Sequence, residues 1–183
     1  MWLDMYAYKR YYLSQYFKKP KGLDQQLYDL WLANEVKFMT MESMYWRKSN
    51  HIHKFFVDNI QEWEDDCEEH DLPISTLDKL KEHCLEIMNG VIQEEALWWE
   101  QWSAKSRQLK DYITKLEEEK QYDWRLPKKT LKYAKKYLSV QKWFFFWDTE
   151  YWIYYLYDII STHDWIESLD PEDNCDFTYS SSR

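Results

Sequence analysis

The stretch from Tyr45 to Cys67, YWRKSNHIHKFFVDNIQEWEDDC, mixes apolar, basic, histidine and acidic residues more densely than any other part of the chain, and the remainder has to pack around it. Helical spacing places Tyr45, Ile52, Phe56 and Asn59 on one stripe and Trp46, Asn50, His53, Val57 and Ile60 on the adjoining one. Trp46, Asn50 and His53 are therefore expected along the rim of one pocket at a core edge, with Arg47 or Lys48 near its mouth. Arg47, Lys48 and Asn50 are donors suited to a phosphate or a carboxylate. His53 adds a hydrogen-bonding or acid–base group, although a histidine at a core edge also serves as a purely structural tie. His51 and His53 are two residues apart and would point about 200° from one another on a helix, so they cannot chelate one metal as an i, i+4 pair could.

A chain of 183 residues is long enough for one domain with a sizeable core, and a 20% aromatic share makes that core ring-rich. The formal charge of −9 works against general nucleic-acid binding, because an acidic surface repels phosphate at long range. A local basic patch is the exception that the net charge leaves open. Cys67, Cys84 and Cys175 show no Cys-x-x-Cys spacing, and MWLDMYAYKR lacks the apolar run of a signal peptide. Reduced thiols in a cytoplasm are the expectation. The longest apolar run, Tyr151 to Tyr157, falls far short of the roughly 20 residues that a membrane span needs, so no membrane association is expected.

Leu3 to Phe17 is aromatic and irregular, a strand or an extended arm. KKPKG at Lys18 to Gly22 is a turn. From Asp24 the positions Leu27, Leu30, Trp31, Asn34 and Phe38 have helical spacing, and that helix is expected to run on into the Tyr45 stretch, with or without a break near Thr40. Seven of ten residues from Glu62 to Asp71 are acidic, which favours a solvated loop. Ser75 and Asp78 resemble a capping box, followed by Leu77, Leu80, Cys84 and Ile87 on a helix expected to stop at Asn89-Gly90. Val91 to Glu119 reads as a long amphipathic helix, and Pro127 opens a short basic one. Trp143 to Trp147 reads as a buried strand, Asp148 or Thr149 as the cap of a last long helix, and the end of the chain as polar. These readings sum to a mostly α, single-domain helical bundle with at most a minor strand pair: residues 1–170 as one helical domain, 91–142 as a candidate helical insertion, and 171–183 as a polar tail.

Other candidate chemistry is weaker. Asp65 and Asp66, with Glu68, Glu69 and His70, could draw a divalent cation, but their spacing does not match a calcium loop and a solvated charge run explains them as well. The basic patch at 128–136 could contact a phosphate backbone or offset the acidic loop. Phe144 to Phe146 with Tyr151, Tyr154 and Tyr155 could stack on a ring, or serve as core. Tyr151 and Tyr155, one turn apart, are the members of that segment expected to turn a hydroxyl toward the His53 edge, and Phe144 to Tyr155 is expected to pack on the Tyr45 to Ile60 stretch. No phosphate-binding glycine loop, nucleophile elbow or zinc spacing is present, so no cofactor and no catalytic residue is assigned.

Five blocks, LDMYAYKR from Leu3, YWRKSNHIHKFFVDNIQ from Tyr45, DDC ending at Cys67, FFFWDTEY from Phe144 and DFTYSSS from Asp176, together resemble a family of uncharacterised bacteriophage proteins. The resemblance spans nearly the whole chain and implies a lineage, with no settled activity. It implies an accessory role in the host cytoplasm, in host takeover or anti-defence, to which the reading of the residues adds binding of a host protein or a nucleotide-like, phosphorylated small ligand through Trp46, Arg47, Lys48, Asn50, His53, Tyr151 and Tyr155. More than one copy could act together. The alternatives are a nucleotide or phosphoester hydrolase using His53 and Asp66, and a minor structural phage protein. Where Trp2, Trp63, Trp143 and Trp147 stand, the resembling proteins usually carry Gly. With 2 Gly against 12 Trp in the whole chain, the expectation is that some Trp positions were read from a stop codon reassigned to Gly in the source organism.

Overall fold

The structure is a computed structural model that describes residues 3–12, 25–32, 37–97, 105–141, 150–170, 173 and 175–182. In chain order it holds β1 (Asp4–Tyr12), α1 (Gln25–Leu32), β2 (Phe38–Arg47), α2 (Asn50–Ile60), β3 (His70–Asp71), α3 (Ile74–Glu94), α4 (Lys105–Glu118), α5 (Lys128–Tyr137), α6 (Ile153–Glu167) and β4 (Asp176–Ser182). The four strands form one antiparallel sheet in the order β2-β1-β4-β3. The expected helical bundle is thereby corrected to a mixed α/β fold, in which a full sheet and not a minor strand pair forms one layer of the core.

Two segments account for the difference. Phe38, Met41 and Tyr45 have the three- and four-residue spacing of a helix, yet all three are solvent-exposed on β2, an edge strand that pairs only with β1 among the described residues. Spacing alone cannot tell an apolar stripe bound for the core from apolar residues left on a sheet edge. The end of the chain is polar by composition, but β4 lies inside the sheet, where Phe177, Thr178, Tyr179 and Ser181 are buried. Its register is fixed by β1, with Met5 opposite Ser181 and Ala7 opposite Tyr179.

The sheet turns Met5, Ala7, Trp46 and Tyr179 inward, all buried, in agreement with the two-residue period of a strand. Between Ala7 and Tyr8 the register slips, because Ala7 faces Met44 while Tyr8 faces Glu42; Ser43 is the extra residue of the bulge. Its hydroxyl accepts a hydrogen bond from Trp165 Nε1 at 2.9 Å, so the bulge ties the edge strand to α6. Above the inner face Phe56 meets Tyr179 with ring centroids 4.3 Å apart, and Trp46 meets Trp165 edge-on at 5.3 Å. The outer face carries Tyr6, stacked with Tyr8 at 5.8 Å and tilted against Tyr45 at 5.2 Å.

Helix α3 forms the second half of the core and packs on α4, α5 and α6. Leu77, Leu80, Cys84, Ile87, Met88, Val91 and Ile92 are buried along it, one continuous stripe through the expected stop at Asn89-Gly90. The helix runs on because Met88, Val91 and Ile92 continue its buried stripe, and Gly90 is a close-approach residue and not a cap: a Cβ there would lie 2.3 Å from Thr130 Oγ1 on α5. Pro73, not Ser75, precedes the first turn, without a side-chain cap. The long helix expected from Val91 to Glu119 is also divided. Helix α3 ends at Glu94, Ala96 takes a left-handed φ of 51°, and α4 begins at Lys105. The short basic helix after Pro127 is present as α5. The expected strand over Trp143 to Trp147 and the caps Asp148 and Thr149 lie outside the described residues.

Candidate functional site

The structure sorts the expected pocket residues into three different settings. Trp46 belongs to β2, and its buried Nε1 donates to Thr162 Oγ1 at 2.8 Å, which makes it a core member. Arg47 ends that strand in solvent, and Lys48, also exposed, takes φ 63° to turn the chain into α2. Helix α2 begins only at Asn50, so Trp46 does not share a helical edge with Asn50 and His53. Asn50 is buried and its Oδ1 accepts the Gln141 backbone N–H at 3.2 Å.

His53 is buried between two partners. Its Nδ1 lies 2.6 Å from the Tyr179 hydroxyl and its Nε2 lies 2.9 Å from Asp65 Oδ2. Burial holds the Tyr179 hydroxyl well above its ordinary pKa, so it stays a phenol. The consistent network has Tyr179 donating to Nδ1 and Nε2–H donating to Asp65. Both ring nitrogens are then occupied within the protein, and the arrangement ties α2, the acidic loop and β4 together. Asp66 turns elsewhere, accepting from His70 Nε2 at 2.9 Å and from the Glu68 backbone N–H at 2.9 Å. The His70 hydrogen bond, first among its causes, holds the Asp66 carboxyl below its ordinary range. Among the described residues no group of three His, Cys, Asp or Glu side chains is placed to hold a metal ion.

Of Tyr151 and Tyr155, it is Tyr155 that meets α2, and it does so through the other histidine. The Tyr155 ring lies 4.2 Å from the ring of His51, while its hydroxyl donates to Leu138 O at 2.9 Å. The Tyr151 hydroxyl accepts the Val140 backbone N–H at 3.1 Å. Neither hydroxyl points at His53. One turn after Tyr155, Asp158 receives the Ser49 hydroxyl at the start of α2. Burial pushes the Asp158 carboxyl up to about 7 and the His51 imidazole down to about 3, so below about pH 7 the carboxyl is mostly protonated and above about pH 3 the imidazole is mostly neutral. Phe144 to Phe146 lie outside the described residues.

Helix α5 carries a run of exposed lysines. Thr130 and Ala134 face the core, which turns Lys128, Lys129, Lys132, Lys135 and Lys136 into solvent. Glu94 of α3 fixes the helix start by accepting the backbone N–H groups of Lys129 at 3.0 Å and Thr130 at 2.7 Å, along with the Thr130 hydroxyl at 2.7 Å. None of the five lysine ammoniums pairs with a carboxylate among the described residues. The expected offset against the acidic loop is not made there: the loop acids Asp65, Asp66 and Glu69 are matched by His53, His70 and Arg10. Aromatic rings border the lysines. Lys136 Nζ sits 4.5 Å from the Tyr137 ring and Lys135 Nζ 5.9 Å from that of Tyr151. Before α5, the Arg125 guanidinium covers Trp152 at 5.0 Å while pairing with Glu150 at 3.3 Å.

The lysine run was visible in the sequence as a patch of one sign. What sequence reasoning missed is that Asp65, Asp66 and Glu69 of the acidic loop are engaged by His53, His70 and Arg10, and that Glu94 of α3 sits at the start of the lysine helix. No family model, curated protein or solved structure matches the chain.

Proposed function

We propose that this chain is an accessory binding protein of a bacteriophage, acting in the cytoplasm of the infected bacterium by docking an anionic host factor or phosphorylated ligand on the solvent face of α5. The observation that carries this reading is the set of five exposed lysines, none in an ion pair with a carboxylate among the described residues, on a ten-residue helix of a chain whose net charge is −9. Like charges held side by side raise the energy of the free protein, and an incoming polyanion relieves that repulsion while releasing its own counterions. The absence of a helix long and apolar enough to cross a membrane, among the described residues, is compatible with such a role.

The hydrolase reading has less support, since it needs His53 and Asp66 to act on one substrate. His53 spends its two nitrogens on Tyr179 and Asp65, and Asp66 is held by His70. The test of the docking reading is titration with inorganic polyphosphate at rising salt. Binding should weaken steeply with salt and be lost in Lys132→Glu/Lys135→Glu, two exposed positions whose reversal leaves folding intact. Unchanged affinity in that variant would overturn the α5 site.

A further inference from the structure

We infer that the α5 face takes single-stranded nucleic acid in preference to duplex. This inference rests on the docking reading above and adds the chemical class of the partner. Along α5, Lys128, Lys132 and Lys135 or Lys136 recur every three to four residues. Each such step advances about 5–6 Å along the axis, a spacing at which successive ammoniums can follow the phosphates of an extended strand. The helix of ten residues is about 15 Å long, enough for a few nucleotides.

The rings at the two ends of that row separate a single strand from other polyanions. At one end Trp152 and Tyr154 stand edge to face, 6.2 Å apart, beside Arg125; Tyr154 is 65% exposed, whereas Tyr155 next to it is buried. At the other end Tyr137 is 37% exposed, backed on its inner side by Tyr133 at 4.5 Å and His83 at 4.7 Å. The Lys136 ammonium also lies 4.5 Å from the Tyr137 ring, so what each end offers a flat partner is an exposed ring portion beside a cation. Bases of a single strand can leave the backbone and stack on such rings, while those of a duplex are already stacked. A polypeptide acid could satisfy the lysines but would leave the rings unused.

Net charge favours the same choice. Duplex DNA carries one negative charge per ~1.7 Å of axis and is stiff, so it would force its charge across a molecule whose overall charge is −9. A single strand is less densely charged and can bend to stay on α5.

The experiment is fluorescence anisotropy with three probes on the full chain: a labelled oligothymidylate, a duplex of equal length and inorganic polyphosphate. The oligothymidylate should bind at least roughly tenfold more tightly than the duplex. Tyr137→Ala/Tyr154→Ala should weaken it by roughly tenfold or more, as expected for lost base stacking, and leave polyphosphate binding unchanged. Lys132→Glu/Lys135→Glu should abolish both. Duplex binding as tight as that of the single strand, or an oligothymidylate affinity that ignores the two tyrosines, overturns this inference while polyphosphate binding still upholds the docking reading. Failure of all three probes to bind overturns both.

Discussion

The imidazole of His53 and the hydroxyl of Tyr179, 126 positions apart in sequence, meet at 2.6 Å in the core, and Asp65 closes the far side of the ring at 2.9 Å. Tyr179→Phe keeps the packing and removes one hydroxyl, leaving Nδ1 buried without its donor. The expected loss is about 1–3 kcal/mol in urea unfolding. Polyphosphate affinity of the folded variant should not change. A parallel loss of binding would place His53 in a ligand site after all.

Asp158 and His51 set opposing pH dependences. Burial raises Asp158 from 3.8 to about 7, so between about pH 4 and 7 the folded state holds a proton that the unfolded state has lost, and this group makes stability fall as pH rises. Burial lowers His51 from 6.5 to about 3, so between about pH 3 and 6.5 the unfolded state holds the extra proton, and this group makes stability rise with pH. Over about pH 4 to 6.5 the two slopes cancel. Asp158→Asn keeps an acceptor for Ser49 and removes one slope, so its stability should climb with pH relative to the parent, on the order of 1 kcal/mol per pH unit. Urea unfolding of both proteins across that window measures it; parallel curves would contradict the paired burial.

Replacing a helix-interior glycine by alanine ordinarily stabilises by about 1 kcal/mol. Gly90→Ala should do the opposite, because the new Cβ would meet Thr130 Oγ1 at 2.3 Å and that hydroxyl is committed to Glu94. A net cost of about 1–3 kcal/mol is expected. In the double variant with Thr130→Ala the two costs should not add, since removing the hydroxyl removes the clash. Additive losses would mean that α3 and α5 do not approach so closely.

Trp63 occupies a left-handed backbone with φ 73° and is 72% exposed, with the Lys54 ammonium 5.6 Å from its ring. Of the four tryptophans expected to stand for glycine, it is the one within the described residues. Comparing Trp63→Gly with Trp63→Ala removes the ring in both and isolates the backbone. The glycine variant should be the more stable by about 1 kcal/mol, against the usual order of the two residues. Intact mass of the protein from its natural source decides the residue itself: full tryptophan mass at position 63 would end the reassignment reading.

Elements with local signals are legible in the amino-acid order alone. The stripe Leu77, Leu80, Cys84 and Ile87 marked α3, Pro127 opened α5, and the carboxylates from Glu62 to Glu69 marked a loop, because periodicity, a fixed proline φ and like-charge repulsion all act over a few residues. His70 and Asp71, at the expected end of that loop, instead pair with β4 as β3. The lysine row was equally legible, being a property of one short helix. The remaining features depend on partners distant in sequence. Phe38 to Arg47 became a strand because β1 supplies its hydrogen bonds, and the polar DFTYSSS became buried because β1 and β3 flank it on both sides. Gly90 is a packing position and not a helix end because Thr130 approaches it from α5. His53 could not remain open to a ligand because Tyr179, near the other end of the chain, fills its second nitrogen. Backbone pairing, close approach and mutual neutralisation are relations between segments, and spacing within one segment does not contain them.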